Sequence, residues 1–261
     1  MAEIRGSTGE EQPKVTYDID RPQKFVSFVE RHPLLLKKFL DGARGRANDM
    51  YERGELGNEI QSGERVLYLG AGTGHVAQAI EQRTGATTLK LDLGDLRTSD
   101  TKDGKFVIGD ASKLPFADNS SDAVVLNNIL HFCEDGAQEE ILSEAMRTLR
   151  PGGKLILLEE TMPTMDSEKK SRIRSIFGRF DEVLNRQPGG STPHTYKSIE
   201  EWNGLAEAKG FDQARTRSWY WGPTDLIGIT NSDNAKDTRT NFRPFESTRF
   251  VFTKPPRPVA V

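Results

Sequence analysis

Two hydrophobic rhythms alternate along the middle of the chain. Short apolar runs recur at residues 66–69, 87–91, 105–108, 123–126 and 154–158, each closed by glycine, aspartate, asparagine or glutamate. Runs of that length with such boundaries read as buried strands. Between them lie amphipathic segments of helical period, at 76–83 and at 138–149, where Ile141, Leu142, Ala145 and Leu149 share a face. Strands alternating with helices predict a parallel sheet covered on both sides. Two more strands are expected at 211–221 and 248–252, and a helix at 198–209, where Ser198 and Glu201 have capping-box spacing. A further helix over 167–186 carries the stripe Ile173, Ile176, Phe177, Phe180 and Leu184. Residues 21–56 read as helical, with Phe25, Phe28, Val29, Leu34, Leu35, Leu36, Phe39 and Leu40 as their apolar positions.

The chemistry gathers where the strands end. The first runs into Gly70-Ala71-Gly72-Thr73-Gly74 and then a helix. Glycines permit a sharp turn and close approach of a ligand to backbone N–H groups at a helix N-terminus. Such turns also occur with no ligand. The second strand, however, ends at Asp92, 22 residues beyond Gly70, near the ~20-residue offset at which an acid meets ribose hydroxyls in a βαβ unit. A carboxylate accepts two hydrogen bonds from a vicinal diol. The third strand ends at Gly109-Asp110-Ala111, the fourth at Asn127-Asn128, and the fifth follows Arg150-Pro151-Gly152-Gly153. The pattern points to a nucleoside-containing cofactor at the carboxyl edge of the sheet.

VLYLGAGTG, LKLDL, GDASKLPFADNSSDAVVLNNILHF and LRPGGKLILLEE together resemble the successive motifs of class I S-adenosylmethionine-dependent methyltransferases, most nearly the branch of ubiquinone and menaquinone biosynthesis C-methyltransferases. The resemblance covers residues 60–160, with a looser likeness over 198–221. It implies an α/β fold: a doubly wound, Rossmann-like seven-stranded sheet, mostly parallel with an antiparallel C-terminal hairpin, plus an N-terminal helical cap. It also implies S-adenosyl-L-methionine as cofactor and a small-molecule acceptor, ring-containing or lipid-like. By the same resemblance Gly70, Ala71 and Gly72 line the methionine and ribose part, Asp92 binds the ribose hydroxyls and Leu93 packs on the adenine. Asp110 accepts from the adenine amino group with the Ala111 N–H nearby, and Asn127 touches the methionine moiety through its backbone. One position departs from the family pattern. Two residues before Gly70 the family usually carries an acid that helps hold the methionine end, and here stands Tyr68, which either packs in its strand or has a polar role.

The expected layout is a flexible lead over 1–20, a helical cap over 21–56, a cofactor-binding half over 57–160, a substrate-side half over 161–254 and a tail over 255–261. The 21–56 helices either cover the cofactor mouth or pack only on the sheet edge. Methyl transfer needs a base only if the acceptor must lose a proton. Candidates are His131, His194, Tyr196 and one of Glu159 or Glu160. Trp219, Tyr220 and Trp221 either line an apolar pocket or belong to the core.

Charge narrows the acceptor. With 36 Lys+Arg against 39 Asp+Glu the chain is nearly balanced, which gives no electrostatic case for nucleic acid. RNA or protein methylation, or a non-catalytic cofactor-binding scaffold, remain competing readings. A nicotinamide-dependent oxidoreductase would share the turn and the acid but has no use for the GDA and LRPGG motifs. The single Cys133 excludes an intrachain disulfide and fits a reducing, cytoplasmic setting. No apolar run is long enough to cross a bilayer, residues 1–14 lack the apolar core of a secretory signal, and the four scattered histidines imply no metal. The oligomeric state is not legible.

Overall fold

The computed structural model describes residues 20–52, 56, 58–162, 195–219 and 246–256. The expected helix over 167–186, the Pro-Gly loop with His194, Tyr220, Trp221 and nearly all of the polar stretch 222–246 lie outside the described residues. So do the lead up to residue 19 and the last five residues.

Seven strands form one sheet: β1 (Arg65–Leu69), β2 (Thr87–Asp92), β3 (Lys105–Ile108), β4 (Ser121–Asn127), β5 (Leu149–Thr161), β6 (Arg215–Trp219) and β7 (Glu246–Thr253). Their order is β3-β2-β1-β4-β5-β7-β6. The first five are parallel neighbours, and β7 runs antiparallel to both β5 and β6. This is the expected mostly parallel sheet with an antiparallel C-terminal pair. Alternation along β1 sends Leu67 and Leu69 into one core with Val124, Leu126, Leu155 and Leu157, and Val66 and Tyr68 into another with Ala123, Val125, Ile156 and Leu158. Helices α4 (Asp135–Thr148) and α5 (Ile199–Ala208) close the first core through Ile141, Leu142, Trp202 and Ala206. Helix α3 (His75–Thr84) closes the second through Ala77 and Ile80. The sheet is thus doubly wound.

The N-terminal helical region is two helices, α1 (Asp20–Glu30) and α2 (Pro33–Glu52). Pro33 explains the break, because proline is favoured at the first helical position and disfavours helix in the residue before it. Another boundary moves for the same reason. The helix expected to run through Leu149 stops at Thr148, and Leu149 is already extended, with φ −67° and ψ 137°. Strand β5 therefore begins before the Pro-Gly-Gly segment. At Gly153 a Cβ would lie 2.8 Å from the Arg150 carbonyl and 3.0 Å from that of Asp122, so the LRPGG sequence fits where two backbones touch. The predicted capping box is present on α5: Ser198 Oγ accepts from Glu201 N–H at 3.2 Å, and Glu201 accepts from Ser198 N–H at 2.7 Å.

Candidate functional site

Strands β1, β2 and β3 succeed one another in one direction across the sheet, and β4 and β5 in the other. The crevice at the carboxyl ends of β1 and β4 is the switch point where open α/β sheets bind ligands. Gly70, Gly72 and Gly74 all have left-handed backbones there, with φ of 69°, 51° and 82°. The N–H groups of Gly70 and Ala71 donate to the Leu91 carbonyl at 2.9 and 3.1 Å, tying the turn to β2. A Cβ on Gly70 would lie 2.4 Å from Ile129 Cγ2, so the segment after β4 packs directly on the turn. A Cβ on Gly72 would meet nothing within 4 Å, which leaves that stretch of backbone open.

Asp92 stands across this turn. Its Oδ2 accepts the Gly72 N–H at 2.7 Å and its Oδ1 the Leu93 N–H at 2.8 Å. Burial pushes its carboxyl above the ordinary aspartate value, and the N–H groups of Gly72, Leu93 and Gly94 offset part of that rise. Each oxygen keeps a lone pair for a hydroxyl donor. Leu93 is 37% exposed, and Ile108, paired in register with Asp92, is 63% exposed. Two apolar side chains thus stand open at adjacent strand ends. Beyond them Asp110 is half-buried and accepts the Ser112 N–H at 2.8 Å through Oδ1, while Ala111 packs against the core. Asn127 closes the row at the end of β4. Its Nδ2 donates to Tyr68 Oη at 3.0 Å and approaches Met50 Sδ at 3.8 Å, whereas its Oδ1 is buried with no partner. All eight residues expected to meet the cofactor therefore lie along one edge, at the ends of β1 to β4.

The base candidates sit differently. His131, in a 3₁₀ turn (Leu130–Phe132), is buried, and its Nδ1 meets Glu159 Oε2 at 2.6 Å. Glu159, also buried, accepts the N–H groups of Ile129 and Leu130 through Oε1 at 3.0 and 2.7 Å. Tyr196, expected on a substrate-facing loop, is only 2% exposed, and its ring stacks on His131 at 5.0 Å. The Thr195 N–H donates to the His131 carbonyl at 2.8 Å. Sequence reasoning named these residues as separate candidates and missed that they form one buried cluster. Residues 131 and 159 meet through the sheet, where Asn127 pairs with Leu158, residue 196 joins them through the Thr195 backbone bond, and no local pattern announces either.

At Cys133 burial pushes the thiol up to about 12, and the nearby carboxylates of Glu159 and Asp110 add to the rise. On the α3 side, Arg44 of α2 binds Asp100 at 2.6 Å, and Asp100 also meets His75 Nε2 at 3.2 Å. Burial would raise the Asp100 carboxyl, but bonds from Thr98, Arg44 and His75 hold it below its usual value. Among the described residues no three His, Cys, Asp or Glu side chains are grouped to hold a metal, and no helix is long and apolar enough to cross a membrane.

Comparison with known proteins gives the same picture. Residues 67–157 match a family model described as "Methyltransferase domain". A demethylmenaquinone methyltransferase of Renibacterium salmoninarum is 32% identical over 146 residues, which are 54% of this chain and 60% of that protein. The Staphylococcus aureus demethylmenaquinone methyltransferase is 28% identical over 195 residues, covering 68% of this chain and 80% of that protein. The chain thus spans less than two thirds of the first relative and four fifths of the second. Among solved structures, a Haemonchus contortus phosphoethanolamine N-methyltransferase in complex with S-adenosyl-L-methionine matches with a TM-score of 0.55 at 17% identity, over 82% of this chain and 53% of that one. The class I methyltransferase resemblance read from the motifs is borne out.

Proposed function

We propose, from the premise that residues 67–157 are a methyltransferase domain of the S-adenosylmethionine-dependent class, that this chain moves a methyl group from that cofactor to a small, ring-containing or lipid-like acceptor. The observation that carries the reading is Asp92: a half-buried carboxylate at the switch point, fixed by the N–H groups of Gly72 and Leu93 and with acceptor capacity left over.

The residues present fit the cofactor. Asp92 suits a ribose diol. Leu93 and Ile108 offer apolar surface for a purine, and Asp110 offers an acceptor for its exocyclic amine. The open backbone at Gly72 leaves room for the chain that joins ribose to sulfur. When bound, the cofactor supplies an activated methyl group on a sulfonium. The protein's part is to hold the acceptor in line with the S–CH3 bond and to exclude water, and proximity alone can supply much of the rate. His131 and Glu159 are buried and bonded to each other. That favours an acceptor already electron-rich when it binds, such as a quinol or phenol ring, over one that waits for either residue to take its proton. The two relatives are named for a demethylmenaquinone, a quinone whose two-electron-reduced quinol form is of this chemical kind. The near balance of charge favours such an acceptor over RNA.

The test is transfer of a radiolabelled methyl group from S-adenosylmethionine to a panel of quinols and phenols, with total RNA and bulk protein as parallel acceptors. Labelled quinol or phenol is the expected product. Label in RNA or protein alone would replace the acceptor class. Tight cofactor binding with no transfer to any pool would support the scaffold reading.

A further inference from the structure

Five large apolar side chains stand exposed among the described residues. Leu93 and Ile108 belong to the crevice already described. The other three, Phe28, Leu34 and Leu35, gather at the corner where α1 turns into α2. The corner is tight: the N–H groups of Arg31 and His32 donate to the carbonyls of Phe28 and Val29 at 3.2 and 3.0 Å, and the His32 ring lies 4.2 Å from that of Phe28. Helical period explains the exposure. Val26 and Val29 of α1 and Ala43 and Ala47 of α2 are buried, which leaves Phe28 and Leu34 on the outer sides. A single exposed leucine needs no explanation, whereas apolar side chains grouped at one corner mark an interaction surface.

Charge indicates what the surface meets. Lys24 lies one helical turn before Phe28, and Lys37 and Lys38 lie one turn after Leu34; these and Arg31 are all exposed. Across residues 24–38 the only acid is Glu30, whose carboxylate accepts the Ser99 N–H at 3.0 Å. Four cations against one acid give this corner +3, on a chain whose net charge is −3. The next acid, Asp41, comes two turns into α2. Apolar side chains flanked by Lys and Arg fit an anionic bilayer, where the apolar groups enter the acyl boundary and the cations stay among the headgroups. Leu34, 82% exposed, projects into such a fluid surface without needing a matching pocket. The corner also lies on the crevice side of the molecule. Glu30 is bonded to Ser99 and Arg44 to Asp100, both in the segment that follows Asp92, and Met50 of the same α2 approaches Asn127.

We propose that the α1–α2 corner docks this protein on an anionic lipid surface, with Phe28, Leu34 and Leu35 inserted and the four cations on the headgroups. Docking brings the end of the sheet that carries the crevice next to the bilayer, where a lipid-like acceptor resides. That use rests on the function proposed above; the docking itself does not.

The test is co-sedimentation of the full chain with vesicles of phosphatidylglycerol and phosphatidylcholine in equal parts, against vesicles of phosphatidylcholine alone. Wild type should pellet with the anionic vesicles, bind the neutral ones roughly 10-fold more weakly or less, and be released as salt rises to about 0.5 M. Lys37→Glu/Lys38→Glu and, separately, Leu34→Ser/Leu35→Ser should each weaken binding about 10-fold or more. Both pairs are exposed, so Tm should not change. Light scattering on wild type and on Leu34→Ser/Leu35→Ser tests a second copy of the chain as the occupant. Wild type that stays in solution with both vesicles, variants that pellet like wild type, or a dimer that Leu34→Ser/Leu35→Ser dissociates would each overturn the docking. Protein that pellets as expected yet transfers no methyl group would leave the docking standing and overturn the function proposed above.

Discussion

Glu159 should be among the most costly side chains to remove from this protein. It is 1% exposed, and three groups depend on it: the N–H groups of Ile129 and Leu130, at 3.0 and 2.7 Å, and His131 Nδ1, at 2.6 Å. Glu159→Ala leaves two buried backbone donors without partners, at about 1–3 kcal/mol each, and removes the oxygen that faces His131 Nδ1. Removing one partner of a buried pair typically costs about 3–5 kcal/mol, and since these terms overlap, that range is the expected total. Glu159→Gln is the informative control. Its carbonyl oxygen can still accept both backbone N–H groups, and only the contact with His131 changes, at about 1–2 kcal/mol. Guanidinium denaturation of both variants, with equal m-values as the sign of an unchanged transition, should give Glu159→Ala a loss two to three times that of Glu159→Gln. For a chain of this size a loss of about 4 kcal/mol lowers Tm by roughly 8–16 °C. A Glu159→Ala protein within about 1 kcal/mol of wild type would refute the reasoning, as would equal losses in the two variants.

Three further outcomes follow from the same geometry. In the proposed site ribose hydroxyls would donate to the ionised form of Asp92, whose carboxyl is raised by burial. S-adenosylhomocysteine affinity should therefore hold above that raised value and fall as pH drops through it, at a higher pH than an ordinary aspartate would show, and calorimetry of Asp92→Asn should lose this slope. The ligand-free protein has the opposite sign: between the ordinary and the raised value the unfolded chain is ionised and the folded one protonated, so stability falls as pH rises across that window. Gly70→Ala places a methyl 2.4 Å from Ile129 Cγ2 on a backbone with φ of 69°. It should cost about 2–4 kcal/mol by overpacking and left-handed strain, with part recovered by Ile129→Ala in a denaturation series, and full stability of Gly70→Ala would show that the contact is not real. Cys133, its thiol pushed up to about 12, should resist iodoacetamide in folded protein at neutral pH and react on unfolding, as mass spectrometry would read; rapid labelling of the native protein would contradict its burial.

The framework of this fold is legible in the sequence because its signals are local. Each strand of the parallel sheet contains a short apolar run ended by Gly, Asp, Asn or Glu, and each helix between them keeps one apolar face. Boundaries slipped where proline set the backbone. Pro151 biases Arg150 toward extended structure, and β5 starts at Leu149 instead of after the double glycine. Pro33 divides the N-terminal helical stretch into two. The edge proposed to hold the cofactor was readable for the same reason as the strands: Gly70, Asp92, Asp110 and Asn127 each stand at or just after the end of a strand, and strands of a parallel sheet end along one edge.

The buried polar cluster behind that edge was not readable, because nothing local produces it. His131 and Glu159 are 28 residues apart and come together because β4 and β5 are parallel and in register at Asn127 and Leu158. Tyr196 joins from across the polypeptide because Thr195 donates to the His131 carbonyl. A sequence reading sees three polar side chains beside an expected active site and assigns each a share of the chemistry. The geometry gives them a common task. Glu159 holds the segment from Ile129 to His131, Ile129 fills the space that Gly70 leaves, and His131 carries the segment that returns at Thr195. The glycine turn and Thr195 are therefore both tied to the segment that one buried carboxylate, Glu159, holds.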